Sequence, residues 1–365
     1  MSSTRRAMNS PYMEFAKLRS EAKFNLATSG VQSFPLRELP VKLEDLEIDG
    51  PTVYGYEPLQ ERLAKKNDVG VENVVAATGT SMANHLTMAT IIAPGDEVLV
   101  EEPTYELLLS ALRYLGANVK TFPRRFENGW AVDAEEIKKN LSSRTRLIVL
   151  TNLHNPSSAL IPQETLIEIG RLAEKIGARV LVDEVYLEAM FGSTQPSAFR
   201  LGEQFVVTSS LTKGYGLSGL RCGWILAEKN LAQRMWRLND LFAATPAHPA
   251  ELLSVIAMDN LDRVAARAKK ILDANRKVLR ALLEPRPEIE MTAAEFGTTA
   301  FPRLRRGYVE QFCQLLREKY ETSVVPGHFF GLPQHFRVGI GGDPEMTASG
   351  LERLAAALEE YTKKA

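Results

Sequence analysis

The stretch SSLTKGYGLSGLRCGW, Ser209 to Trp224, reads literally as G-x-G-x-x-G at Gly214, Gly216 and Gly219. A dinucleotide-binding turn would put the first glycine at the end of an apolar strand and the third at the start of a helix facing a pyrophosphate. Neither condition is met. Ser210 to Lys213 intervene after the apolar run FVVTS, and LRCGWILAE after Gly219 has the pattern of a turn and a strand. The other centre of the stretch is Lys213. A lone lysine in a glycine-rich loop is ordinarily a solvated surface residue. Here Ser210 precedes it by three residues and Arg221 follows by eight, on a loop leaving the C-terminal end of a strand, where open α/β sheets collect their ligands. A hydroxyl and a guanidinium beside an amine suit a phosphate that also bears an aldehyde, with the amine as nucleophile.

The surrounding chain predicts the scaffold for such a loop. From about Asn73, apolar strands alternate with amphipathic helices: VENVVAATG, DEVLVE, NVKTF, RLIVLTN, ARVLVD, FVVTS and CGWILAE read as strands. SMANHLTMATII and YELLLSALRYLG read as helices, and DAEEIKKNL precedes RLIVLTN. Leu166, Ile169, Leu172, Ala173 and Ile176 recur at helical spacing between Pro162, suited to a first turn, and Gly177, suited to a left-handed stop. Strands this apolar, separated by helices, imply a mostly parallel sheet covered on both faces. The pattern breaks near Thr245-Pro246, with Pro249 close behind. A long helix follows, with Val264, Ala268, Ile271, Leu272, Leu279 and Leu282 on one side, and then a smaller α+β segment from GTTAFPRL to HFRVGIGG. The expected organisation is a large α/β domain over residues 46–250 and a small α+β domain of 1–45 with 251–365.

Composition narrows the function classes. Among 365 residues, 44 basic and 45 acidic side chains nearly cancel without a long charged block, which argues against nucleic acid or a membrane surface as partner. No apolar run is long enough to span a bilayer, and MSSTRRAMNS has two arginines without the apolar stretch of a secretory signal. Two cysteines and five scattered histidines make neither a disulfide framework nor a metal site. A soluble, cytoplasmic protein without a structural metal is the expectation.

The order S-L-T-K-x₇-R-x-G at Ser210–Gly223 resembles the Schiff-base signature of the fold-type I pyridoxal-phosphate enzymes, in particular the class I/II aminotransferase family. The resemblance runs over nearly the whole chain in four separated motifs. It implies a three-layer α/β/α domain with a smaller α+β domain, and pyridoxal 5′-phosphate bound through Lys213. LVDEVY implies that Asp183 pairs with the cofactor's pyridine nitrogen and Tyr186 with its phenolic oxygen; a buried anion there keeps the nitrogen protonated and the ring an electron sink. A pair of turn-capping carboxylates is the plainer reading of Asp183-Glu184. TNLHNPSS implies Asn155 as second donor to the phenolic oxygen, although N-P alone is an ordinary turn. Ser158 stands where the family has glycine.

ATGTSMAN implies Gly79, Thr80 and Ser81 at a helix N-terminus as the phosphate site, closed by Ser210 and Arg221; a helix cap explains the hydroxyls equally well. Tyr105 corresponds to an aromatic ring stacked on the cofactor, or packs in the core. Arg337 corresponds to the clamp on the substrate α-carboxylate, with Asn155 and the Gly30 backbone of NLATSG beside it. Tyr54, rather than Tyr56, is taken as the tyrosine that reaches the other subunit of a homodimer. The implied reaction moves an amino group between an L-amino acid and a 2-oxo acid by a ping-pong route. A lyase or decarboxylase could use the same cofactor residues. A transcription regulator sharing the fold would need an N-terminal DNA-binding domain, for which no room is expected before the first motif.

Overall fold

The computed structural model describes residues 8–364. The first seven, where the sequence reads as lacking a secretory signal, lie outside the described residues, as does the start of the 1–45 segment. Helix α1 (Pro11–Leu18) and strand β1 (Phe24–Asn25) lead through short 3-10 turns to α2 (Glu57–Asn67). The alternating run follows: β2 (Val74–Thr78), α3 (Gly79–Ile91), β3 (Glu97–Glu102), α4 (Glu106–Tyr114), β4 (Asn118–Pro123) and α5 (Ala134–Asn140). It continues with β5 (Thr145–Thr151), α6 (Gln163–Lys175), β6 (Arg179–Asp183), β7 (Phe205–Ser210) and β8 (Cys222–Leu226). Helices α7 (Lys229–Asn239), α8 (His248–Asp259) and α9 (Leu261–Leu283) come next. The chain ends in short strands β9 (Ile289–Glu290), β10 (Thr299–Ala300) and β11 (Arg303–Leu304), α10 (Val309–Tyr320), β12 (Thr322–Ser323), β13 (Val325–Pro326), β14 (Phe336–Gly339) and α11 (Pro344–Lys364).

Seven strands form one sheet in the order β2-β8-β7-β6-β5-β3-β4. Only β8 runs antiparallel, to both of its neighbours, so the sheet is mostly parallel as the apolar strands imply. Alternation along β5 explains the three layers. Ile148 and Leu150 pack with Leu166, Ile169 and Ala173 of α6 on one face. Leu147 and Val149 pack with Met88 of α3 and Leu108 and Leu112 of α4 on the other. A further apolar cluster joins Leu272 and Leu279 of α9, Phe312 of α10, Val338 of β14 and Leu354 of α11 with Leu26 and Val31 near the N-terminus.

Local readings hold with small shifts. Pro162 is the residue that caps α6 rather than a member of its first turn, and Gly177 takes a left-handed φ of 68°. Residues Val71–Asn73 form a 3-10 turn, which shortens the first strand of the run. Pro249 lies in the first turn of α8, where a missing N–H costs nothing.

Two of the three glycines that mimic a dinucleotide motif have packing reasons instead. A Cβ on Gly214 would lie 3.0 Å from Glu188 Cβ. Gly216 has φ 69° with the Gln32 carbonyl against it, whereas Gly219 faces open space. Only a 3-10 turn, Ser218–Leu220, follows before β8.

Candidate active site

The C-terminal ends of the parallel strands open into a cleft of about 280 Å³. Tyr105, Asn155, Asp183, Tyr186, Ser210, Lys213 and Arg221 line it, with Thr80 and Ser81 from the start of α3. Sheet register does most of this assembly. Asp183, the last residue of β6, sits opposite Thr151 of β5 and Thr208 of β7, so the loops leaving all three strands converge.

Lys213 reaches in from the β7–β8 loop. Its backbone carbonyl accepts from Val31 N–H at 2.9 Å, which ties the loop to the N-terminal segment. Its Nζ donates to Ser29 Oγ at 3.2 Å, and the Tyr186 hydroxyl donates to the same oxygen at 2.7 Å. Burial lowers the lysine's pKa, reinforced by Arg337 and Arg221 and opposed by Tyr12 and Asp183. The amine therefore yields its proton more readily than a surface lysine, as a nucleophile must. Gly30 is adjacent: a Cβ on it would stand 3.5 Å from Lys213 Cδ.

Asp183 is buried, and its carboxylate accepts from Asn84 Nδ2 at 2.8 Å and from Val185 N–H at 3.1 Å. Burial pushes its pKa up to about 6, against those two hydrogen bonds and the nearby Lys213. Asn84 is held in turn by Thr208 Oγ1, which donates to Asn84 Oδ1 at 2.6 Å. Glu184 points away from the cleft and accepts from Ala198 N–H at 2.7 Å, so the two carboxylates have separate tasks. Of the two, Asp183 makes the turn-capping contact, to Val185 N–H, while Glu184 reaches the start of the distant 3-10 turn Ala198–Leu201.

Arg337, in β14, is fully buried and does not line the open cleft. Its Nη1 donates to Asn155 Oδ1 at 2.9 Å, and Nη2 to Tyr12 Oη at 2.8 Å and the Ala27 carbonyl at 3.1 Å. Its Nε has no hydrogen-bond partner among the described residues. Tyr105 lines the cleft, and its ring also meets Tyr12 edge-on at 5.5 Å. Ser158 adopts φ 64°, the left-handed conformation that glycine favours, and its hydroxyl donates to the Thr299 carbonyl at 2.8 Å. The turn thus keeps a glycine-like shape and gains a tether to β10.

A phosphate-bearing group fits the remaining corner. Helix α3 begins at Gly79, whose N–H donates to the Arg221 carbonyl at 2.7 Å, and no side chain caps its first turn among the described residues. Thr80 Oγ1 is buried and has no partner among the described residues. Arg221 is exposed and makes only long contacts, to the Thr78 carbonyl at 3.4 Å and the Ser218 carbonyl at 3.5 Å. A Cβ on Gly79 would strike the Arg221 guanidinium, so glycine is required for this approach. A buried hydroxyl, a helix N-terminus and a guanidinium held only by long contacts suit an anion.

Tyr54 lies outside the cleft, 53% exposed, with its hydroxyl donating to Asp240 at 2.8 Å. Tyr56 is packed against His248, ring centroids 4.9 Å apart. Sequence reasoning missed Tyr12, Met13, Ser29, Asn84 and Thr151, all of which line the cleft. Asn84 alone carried a signal, as an amide among apolar residues of α3.

Residues 49–354 match the family described as aminotransferase class I and II. Capreomycidine synthase of Streptomyces vinaceus is 30% identical over 357 residues, covering 93% of this chain and 90% of that protein. The crystal structure of a PLP-dependent aminotransferase from Streptococcus suis superposes with a TM-score of 0.90 at 25% identity, covering 99% of both chains. That of the PLP-dependent cyclase OrfR gives a TM-score of 0.88 at 25% identity, covering 99% of this chain and 100% of the other.

Proposed function

Because the chain belongs to the aminotransferase class I and II family, whose cofactor is pyridoxal 5′-phosphate, we propose that it transfers an amino group between an L-amino acid and a 2-oxo acid by a ping-pong route. One observation carries this reading: Lys213 Nζ and the Asp183 carboxylate line the same cleft, whose Asn155 side chain is bonded to Arg337. An amine of lowered pKa, an anion for a ring nitrogen and a guanidinium for a carboxylate are the three groups that Cα deprotonation of an amino acid needs.

Lys213 holds the cofactor and, once released by the incoming amine, takes the proton from the substrate Cα. When bound, the cofactor supplies the electron sink that makes this proton acidic. Asp183, steadied by Asn84, keeps the ring nitrogen protonated, while Tyr186 and Asn155 serve the phenolic oxygen and Tyr105 the ring face. Gly79, Thr80, Ser81, Ser210 and Arg221 hold the phosphate. Arg337, with Asn155 and the Gly30 backbone, fixes the α-carboxylate. Residues 46–250 act as the cofactor-holding domain, and 1–45 with 251–365 as the smaller domain. A cytoplasmic homodimer completes the reading. Support for the dimer is the exposed apolar surface of Val53, Tyr54, Leu241 and Phe242, from which Tyr54 would reach the other protomer's phosphate site.

A second reading is cyclisation or elimination after the same Cα deprotonation; a decarboxylase is disfavoured if Arg337 holds the carboxylate near the ring plane. The likeness to a capreomycidine synthase and to a cyclase favours this alternative. One experiment separates the two. A reactive amino acid supplied without an oxo acid should release one equivalent of oxo acid per site and stop, and adding a 2-oxo acid should restart turnover. Continued product formation without a second substrate refutes transamination and supports cyclisation or elimination.

A further inference from the structure

Behind the Lys213 loop lies a polar cluster that none of these roles uses. Tyr215, two residues after the lysine, is buried and turned away from the cleft; its hydroxyl donates to Glu188 Oε2 at 2.6 Å. Both carboxylate oxygens of Glu188 accept from Lys66 Nζ, at 3.1 and 2.8 Å. Glu188 belongs to the 3-10 segment Leu187–Ser193, which starts directly after Tyr186. Gly214 packs so closely on this segment that a Cβ there would stand 3.3 Å from Ala189 N.

The Lys213 loop and the Tyr186 segment are therefore joined twice. Inside the cleft, Lys213 Nζ and the Tyr186 hydroxyl meet at Ser29. On the rear side, Tyr215 meets Glu188. A hydrogen bond to a carboxylate with little exposure is stronger and more directional than one at the surface. Lys66 extends the connection to the last turn of α2, the helix that follows the Tyr54–Tyr56 segment.

We propose that Glu188, held by Lys66, is a positioning residue that acts through Tyr215 to set how far Lys213 reaches into the cleft. The proposal rests on Lys213 being the cofactor-bearing lysine. The cluster borders a second cavity of about 460 Å³ at the margin of the apolar cluster to which Tyr215 belongs, so losing the contact leaves Tyr215 room to shift. The fault would fall on lysine geometry before stability, and small misplacements of a reacting group are costly in rate.

The test uses holoenzyme of wild type, Tyr215→Phe, Glu188→Ala, Glu188→Gln and the Tyr215→Phe/Glu188→Ala double variant. Tyr215→Phe and Glu188→Ala should each lower kcat about tenfold with KM within about twofold. Each should also move the midpoint of the pH titration of the bound cofactor's absorbance by about half a unit or more. Glu188→Gln keeps an acceptor for Tyr215 and should recover most of kcat. The double variant should be no worse than Glu188→Ala alone, because both changes break one contact. An unchanged titration midpoint in both single variants, or a kcat loss that only follows the fraction of folded holoenzyme, overturns the clamp while leaving Lys213 in its role. Borohydride fixation of wild-type cofactor to another lysine overturns both.

Discussion

Replacing Arg337 by lysine isolates the carboxylate clamp with the least damage to the fold. The guanidinium is fully buried between the rings of Tyr12 and Phe330, 5.4 and 5.2 Å from their centroids, and donates to three oxygens. Alanine would leave a cavity and strip those oxygens of a donor. Lysine keeps the charge but offers a point in place of a planar fork. One charge-assisted hydrogen bond lost to the substrate is worth about 1.5–3 kcal/mol, or about 10- to 100-fold at about 1.4 kcal/mol per decade. Because Tyr12 and Asn155 already share the guanidinium, the observed effect should fall towards the lower end of that range. The assay is the half-reaction followed by cofactor absorbance, with an α-amino acid compared against the matching amine that lacks the carboxylate. The amino acid should lose about tenfold or more in KM, and the amine little. Equal losses for both, or losses that track thermal instability, would make Arg337 a core residue whose task is to hold Asn155 and Tyr12.

In protein stripped of cofactor, Asp183 has a pKa raised from 3.8 to about 6. The folded state therefore binds its proton more tightly, and wild type should lose stability relative to Asp183→Asn as pH rises from 4 to 6, by up to roughly 3 kcal/mol. Chemical denaturation across that window checks the sign, and a difference that grows as pH falls contradicts it. With cofactor bound, Asp183→Asn should keep the phosphate contacts and lose most turnover, whereas Glu184→Gln should be mild; near-normal turnover of Asp183→Asn returns the residue to a capping role. Arg221→Ala should weaken cofactor binding about tenfold or more in an equilibrium titration, and Thr80→Val should weaken it without destabilising the stripped protein, since Thr80 Oγ1 has no partner to lose. Ser158→Gly should be close to neutral in denaturant melts, because relief of about 1 kcal/mol of left-handed strain offsets the lost bond to Thr299. Ser158→Ala loses the same bond but keeps the strain, and should be about 1 kcal/mol less stable than Ser158→Gly.

Much of this site could be read along the chain because it is built from strand ends. A parallel sheet delivers the residue after each strand to one edge, so Asp183, Asn155, Tyr105 and Lys213 had to converge once their strands were recognised. The same local logic covers Gly79 to Ser81, where a strand turns into a helix. Ser158 was harder to judge. A serine in a position that favours glycine is understandable only once its hydroxyl is seen on Thr299, 141 residues away.

What the sequence determined by itself was the alternation of buried strands and amphipathic helices, and the chemistry waiting at the strand ends. Both depend on residues within a turn or two of each other, where periodicity and spacing carry the information. Tertiary structure alone decided the companions: Ser29 beside Lys213 across 184 residues, Tyr12 on Arg337 across 325, Asn84 beneath Asp183 across 99. It also decided that Glu188 stands behind the lysine loop and that Arg337 is bonded to its own protein. Such contacts leave no mark on local spacing. They follow from how β1 and α1 fold back over the sheet edge, and that return is set by the packing of Leu26 and Val31 against the C-terminal helices, a long-range burial that no short window of sequence encodes.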